Sequence, residues 1–142
     1  MEITNVELQD LQQILEIEKR YFDGFEFYSL KSLNEMLDNK NVIFIKAVEK
    51  NKIVGYLIAY FLTDHIDLYQ IAVDHNHLRQ KIATKLEHCL SKHKLPIFIE
   101  VAESNTNAIA FYEANNYKII KILNNYYESK NALLMRKDTW KR

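Results

Sequence analysis

The run from Asp67 to Tyr112 constrains the fold more than any other part of the chain. DLYQIAVD (67–74) is apolar and rich in strand formers. HNHLRQKIAT (75–84) is a polar turn that enters a helix, whose apolar positions are Ile82, Leu86, Cys89 and Leu90. PIFIEVAES (96–104) reads as a second strand and NTNAIAFYEAN (105–115) as a second helix. Strand, crossover helix, strand is the arrangement that makes two strands parallel in one sheet. A carboxylate, Glu100, lies inside the second strand, and a phenol, Tyr112, on the helix after it. The functional reading turns on whether those two groups face one cleft.

The remaining elements dress this unit with antiparallel strands. Residues 2–6 form a short edge strand, and Leu8, Leu11, Ile14, Leu15, Glu18 and Phe22 follow at helical spacing, giving a first helix over about 7–20. Asp23-Gly24 breaks it, and the aromatic FEFY (25–28) follows. Ser29 is placed to cap a second helix with Leu30, Leu33, Met36 and Leu37 on one face, ended by Asn39-Lys40-Asn41. Residues 42–49 and 53–62 read as a hairpin around a tight turn at 50–52, and Gly55 within it predicts a bulge or a close backbone approach. A turn at 63–65 leads to the strand at 66–73, and Pro96 opens the next one. Asn115-Asn116 ends the last helix, asparagine being the usual substitute for glycine in the left-handed terminal residue. Two final strands, 117–123 and 132–135, are joined by NNYYESKN. The whole of 1–142 therefore reads as a single α+β domain with a mixed sheet.

Composition narrows the function. Hydrophobic residues make up 48% of the 142 positions and charged ones 27%, which supports a packed core. Nineteen basic and nineteen acidic residues cancel, so a nucleic-acid surface, which needs a clustered basic excess, is not expected. A lone Cys89 allows no internal disulfide and fits a reducing compartment. No signal peptide is evident, and no apolar run approaches the ~20 residues that span a bilayer. These features predict a soluble cytoplasmic protein without membrane partners.

Each candidate group has two readings. The turn at 78–84 points free N–H groups and a positive helix end at one spot, an anion site that Arg79 and Lys81 reinforce, yet every strand–helix turn shares that geometry. Alternation places Ile97, Ile99 and Val101 on one face of their strand and Phe98, Glu100 and Ala102 on the other. Glu100 is there either as a solvated carboxylate or as a base whose pKa partial burial would raise. Tyr112 adjoins Phe111 on a helix with Ala108 and Ile109, and packing explains it as well as chemistry does. Asn105 and Ser104 are helix-cap candidates. His75 and His77 near Asp74 have no further ligand at metal-binding spacing, so no metal is expected. Cys89 reads as core packing.

The order of elements, with IAVDHNHLRQKIATKL and IEVAESNTNAIAFYEANNYKI, resembles the GNAT acetyltransferases over nearly the whole chain. It is most similar to the RimI-type enzymes, which acetylate the N-terminal amine of a small-subunit ribosomal protein. The IAVD strand end, the string E-V-x-x-S-N-x-x-A-x-x-x-Y from Glu100 to Tyr112, the late Asn125-Tyr126-Tyr127 and the early Ile17-Glu18 with Phe22 carry that similarity. The resemblance implies a GNAT fold, α/β/α layered, with a mixed, mostly antiparallel sheet and about four flanking helices. It implies acetyl-CoA as donor, the backbone of Ile71, Ala72 and Val73 pairing with the pantetheine arm. Arg79, Gln80, Lys81, Ile82, Ala83 and Thr84 would take the pyrophosphate, with Asn105 contacting the cofactor. Glu100 would be the general base and Tyr112 the general acid, and Asp67, Tyr126 and Tyr127 would hold the acceptor amine.

Three departures stand out. The family's cofactor loop, Q/R-x-x-G-x-G/A, reads here Leu78-Arg79-Gln80-Lys81-Ile82-Ala83, so Lys81 occupies a glycine's place. Ala102 stands where RimI-type enzymes carry Arg, and the loop before the last strand is trimmed to ESKN. The expected activity is transfer of acetyl from acetyl-CoA to a protein or peptide N-terminus, a ribosomal protein being the acceptor the resemblance names. The alternatives are a GNAT enzyme acting on a small-molecule amine and a non-catalytic GNAT-fold binding module.

Overall fold

The computed structural model describes residues 1–21, 29–74, 81–127 and 130–138. The sheet has seven strands: β1 (Glu2–Asn5), β2 (Val42–Glu49), β3 (Lys52–Phe61), β4 (Ile66–Val73), β5 (Pro96–Ala102), β6 (Lys118–Tyr127) and β7 (Lys130–Asp138). Their order across the sheet is β1-β2-β3-β4-β5-β7-β6. β4 and β5 are parallel, through the pairs Ile66–Ile97 and Asp67–Phe98, while β1–β2, β2–β3, β5–β7 and β6–β7 are antiparallel. The helices are α1 (Leu11–Tyr21), α2 (Leu30–Asp38), α3 (Ile82–Ser91) and α4 (Thr106–Ala114). The chain divides into two compact units, Met1–Phe61 with Gln70–Cys89, and Leu62–Tyr69 with Leu90–Arg142.

In the first unit, one apolar cluster unites α1, α2 and the strands. Leu11, Ile14, Leu15 and Ile17 of α1 and Leu33 and Met36 of α2 meet Phe44, Ile53, Tyr56, Ile58 and Ala72. Ile14 and Leu33 are wholly buried, each contributing about 1.5–3 kcal/mol relative to exposure. The Ser29 hydroxyl accepts the Ser32 N–H at 3.1 Å, capping α2 as its sequence predicts. α1 begins later than periodicity suggests, because residues 8–10 form a 3₁₀ turn. Asp10 there accepts the Glu7 N–H at 2.8 Å and the Lys46 ammonium from β2. Lys50 and Asn51 both have positive φ (51° and 63°), giving the two-residue turn that suits the right-handed twist of the hairpin.

Both expectations for Gly55 are met. Ala47 pairs with Gly55 but Val48 pairs with Ile53, so Val54 is the extra residue of a bulge. A Cβ on Gly55 would lie 3.1 Å from the Ala72 carbonyl oxygen and 3.2 Å from Ile82 Cγ2.

In the second unit, β5 alternates as expected: Ile97, Ile99 and Val101 are buried, Phe98 and Ala102 half-buried and Glu100 exposed. Asn116, at φ 74°, supplies the left-handed residue after α4. Lys137 donates to the Ser91 hydroxyl at 3.0 Å and lies over the Tyr117 ring. The final strands are longer than expected. Residues 124–127 and 130–131, read as connector from their polarity, belong to β6 and β7. Asn125 adopts φ 55° and gives its N–H to the Asn131 side chain at 3.1 Å, within a register shift between Leu123 and Tyr127. A bulge absorbs the polar run that would otherwise end the ladder.

The bulge and the close approach make Gly55 intolerant of a branched side chain. Gly55→Val is expected to cost about 2 kcal/mol by overpacking against a backbone carbonyl. In a thermal melt that is a fall of roughly 4–8 °C in Tm.

Candidate active site

In the first unit, β4 ends at Val73 with its backbone fixed from one side. The Ala72 carbonyl and the Val73 and Ile82 side chains fill the space left by Gly55, and the Asp74 N–H donates to the Val54 carbonyl at 2.7 Å. Asp74 is buried, with Arg20 and Lys52 at 3.6 and 3.9 Å from its carboxylate. Ala72 and Val73 are buried and Ile71 is half-buried. Beyond the turn, Lys81 is exposed and holds φ 57°, while its carbonyl accepts the Lys85 N–H at 3.1 Å, the first turn of α3. The N–H groups of Ile82, Ala83 and Thr84 precede that bond and have no intrahelical acceptor. They form the donor set an anionic pyrophosphate requires, with the positive end of the helix behind them. Ile82 is buried, and Ala83 and Thr84 are half-buried.

The left-handed backbone at Lys81 explains why a glycine suits this place. An L-residue there costs about 1–2 kcal/mol, which glycine avoids. Lys81 keeps the turn's shape, bears that strain and adds an ammonium.

The same unit holds a buried polar network. Glu18 of α1 is fully buried and accepts hydrogen bonds from the Tyr56 hydroxyl of β3 and the Gln70 amide of β4. The Gln70 amide also donates to the Tyr56 oxygen at 2.7 Å. Its sequence signals are a Glu at a position where helical periodicity calls for an apolar residue and the family-like Ile17-Glu18 pair.

In the second unit, Glu100 projects from the exposed face of β5, opposite Leu134 of β7. Asn105 caps α4, its Oδ1 accepting the Ala108 N–H at 3.1 Å. Tyr112 is buried, edge-on to Phe111 at 5.2 Å and to Tyr117 at 5.3 Å. Glu100 and Tyr112 thus sit in different surroundings, one in solvent and one within an aromatic cluster.

Asp67 lies half-exposed at the start of β4, lining an open pocket of about 400 Å³ with His65, Phe98 and Arg136. His65 is bracketed, Nδ1 to Asp64 at 2.7 Å and Nε2 to Asp67 at 3.3 Å. The hydrogen bond from His65 lowers the pKa of the exposed Asp64. Asp67 is an acceptor-side residue that the resemblance names, whereas Asp64 and His65 beside it are read from sequence only as a turn.

Tyr126 and Tyr127 fall within β6 rather than in a connector. Cys89, expected in the core, is half-buried, its thiol donating to the Lys85 carbonyl at 3.4 Å. Arg79, Gln80, Leu78, His75, His77, Phe22 and the FEFY segment lie outside the described residues. Among the described residues no helix is long and apolar enough to cross a membrane.

Known proteins share this pattern. Residues 8–117 match the model described as the acetyltransferase (GNAT) family. An N-alpha-acetyltransferase of Saccharolobus solfataricus is 29% identical over 94% of this chain and 90% of its own. The ribosomal protein bS18-alanine N-acetyltransferase of Escherichia coli is 26% identical over 88% of this chain and 86% of its own. The crystal structure of the E. coli ribosomal-protein-S18-alanine N-acetyltransferase superposes with a TM-score of 0.84 at 27% identity, covering 96% of this chain and 92% of that one.

Removing one donor from buried Glu18 is expected to be costly. Tyr56→Phe leaves the carboxylate without its hydroxyl partner and should destabilise by about 1–3 kcal/mol, read from a urea midpoint. Gln70→Leu should cost a comparable amount, and the double variant less than the sum, since the two donors are themselves hydrogen-bonded.

Proposed function

The chain belongs to the GNAT family of acetyl-CoA-dependent N-acetyltransferases, and from that premise we propose that it acetylates the N-terminal α-amine of a protein, with Glu100 as general base and Tyr112 as general acid. The observation that carries this reading is Glu100 itself. It is a carboxylate in an inner strand whose buried face is wholly apolar, yet it points to the open face where an amine can reach it. The two relatives support the acceptor class, since one is named for N-alpha acetylation and the other for the alanine of a ribosomal protein. A ribosomal protein N-terminus is accordingly the first acceptor to try.

Bound acetyl-CoA supplies the activated acetyl thioester. The donors that suit its pyrophosphate are the N–H groups of Ile82, Ala83 and Thr84, with the Lys81 ammonium, and Arg79 and Gln80 precede them in the chain. The backbone of 71–73 and the Asn105 amide are assigned to the pantetheine arm. An α-amine has a pKa near 8, so at neutral pH much of it is ammonium and must shed a proton before attack. Glu100, solvent-exposed, takes that proton through a water. The amine nitrogen would then bond to the acetyl carbon as the carbon–sulfur bond breaks, the Tyr112 phenol giving its proton to the departing sulfur and being restored by the second proton that the nitrogen sheds as the amide forms. Asp67, Tyr126 and Tyr127 are assigned to the acceptor side.

The test is CoA release with an acceptor peptide at saturating acetyl-CoA. Glu100→Gln and Tyr112→Phe should each lower kcat by about 10²–10⁴-fold. Calorimetric affinity for acetyl-CoA should stay within a few-fold of the parent. An undiminished rate in both variants would overturn the assignment.

Lys81 allows a separate check of the cofactor turn. Lys81→Gly relieves the left-handed strain and should raise stability by up to about 1 kcal/mol, whereas Lys81→Ala keeps the Cβ and should not. Both lose the ammonium, so both should weaken acetyl-CoA binding by about five-fold, the scale of one exposed ion pair.

A further inference from the structure

We propose that the pocket around Asp67 is a subsite for a lysine or arginine side chain in the second or third position of the acceptor polypeptide. This rests on the acceptor being a polypeptide N-terminus, and it assigns a specificity that the family does not supply.

The pocket lies wholly within the second unit, with a volume in the range of small-ligand sites. Its floor is apolar: Phe98, Pro96 and Leu134 offer a surface for the methylenes of a long side chain. Its wall is acidic. Asp64 and Asp67 flank the one His65 ring, at 2.7 Å from Nδ1 and 3.3 Å from Nε2, so two carboxylates share a single imidazole and carry more negative charge than one ring can offset. An entering ammonium or guanidinium brings N–H donors that these carboxylates can accept. The one arginine of the lining is already engaged: Arg136 donates through Nε to Asp138 at 2.8 Å and stacks over Phe98 at 5.3 Å. The negative excess therefore stays on the Asp64–Asp67 side.

Position fixes which residue of the acceptor arrives. Phe98 and Glu100 share one face of β5, and Leu134 stands directly opposite Glu100. The pocket thus begins at Leu134, about 5 Å across the ladder from Glu100, and reaches Phe98 about 7 Å along the strand. An extended peptide with its amine at Glu100 advances about 3.3–3.6 Å per residue, which brings its second or third side chain to the pocket.

The experiment compares kcat/KM for peptides that differ only at position 2 or 3, carrying lysine, norleucine or glutamate. At one of these positions lysine should exceed norleucine by about five-fold, the upper scale of one exposed ion pair. Glutamate should fall below norleucine, and the spread should shrink as salt is raised. Asp67→Lys should invert the order to favour glutamate, and Asp67→Asn should flatten it; neither result can come from loss of fold. Equal rates for the three peptides at both positions, or a lysine preference that survives Asp67→Lys, would overturn the proposal. If no peptide is acetylated at all, the acceptor assignment fails, and the pocket is read separately by titrating the lysine and glutamate peptides against the His65 ring resonances. A saturable shift with lysine alone supports the subsite, and no shift or equal shifts sink it.

Discussion

At Gly55 a strand gives up its side chain, and the Ala72 carbonyl, Val73 and Ile82 fill the space. Three elements of the first unit meet there: β3, the end of β4 and the first residue of α3. Close packing transmits any added volume, because a backbone carbonyl in a ladder has nowhere to retreat. The bulge at Val54 is the local accommodation, and the Asp74 N–H bonded to the Val54 carbonyl pins the strand end just before the turn. The end of β4 and the start of α3 are therefore placed by the same missing Cβ. The two elements to which we assign the cofactor's backbone contacts take their positions from one point in a third.

Charge is handled differently at the two ends of this strand. Asp74, buried at its C-terminal end, is met by Arg20 and Lys52, cations brought by α1 and β3. Burying a carboxylate without such company would be expensive. Asp67, near its N-terminal end, is half-exposed beside His65 and another carboxylate. Solvent already covers much of that charge, so no close cation is needed to hold it there. A cation that enters displaces water rather than an existing partner, for a gain on the scale of one exposed ion pair.

Much of the architecture was legible because it rests on local rules. Period-2 and helical spacing revealed the strand–helix–strand core. Ser29, Asn105 and Asn116 announced their caps and turns through side-chain chemistry alone. What escaped depended on partners far along the chain. The burial of Glu18 needs Tyr56 and Gln70, 38 and 52 residues away. The length of β6 needed Asn131 to receive an N–H from Asn125, so a run of polar residues looked like a loop. The strain at Lys81 was legible only as a departure from the family's glycine; its physical content is the positive φ. Asp64 and His65 looked like turn residues because the surfaces that make them a pocket come from β5 and β7.

Glu18 and Glu100 illustrate how environment assigns roles to identical side chains. Glu18 is fully buried and occupied by the Tyr56 hydroxyl and the Gln70 amide, both neutral donors. A base must exchange protons with the acceptor, and a fully buried, hydrogen-bonded carboxylate is badly placed for that. Its contribution is to tie α1 to β3 and β4, since a buried acceptor left unsatisfied is penalised more heavily than the bond is rewarded. Glu100 has the reverse setting. Its strand neighbours Ile99 and Val101 anchor the backbone in the core, while the side chain stands in solvent. Rigidity comes from the buried face and access from the open one. That combination, more than the carboxylate alone, is what a positioned general base requires.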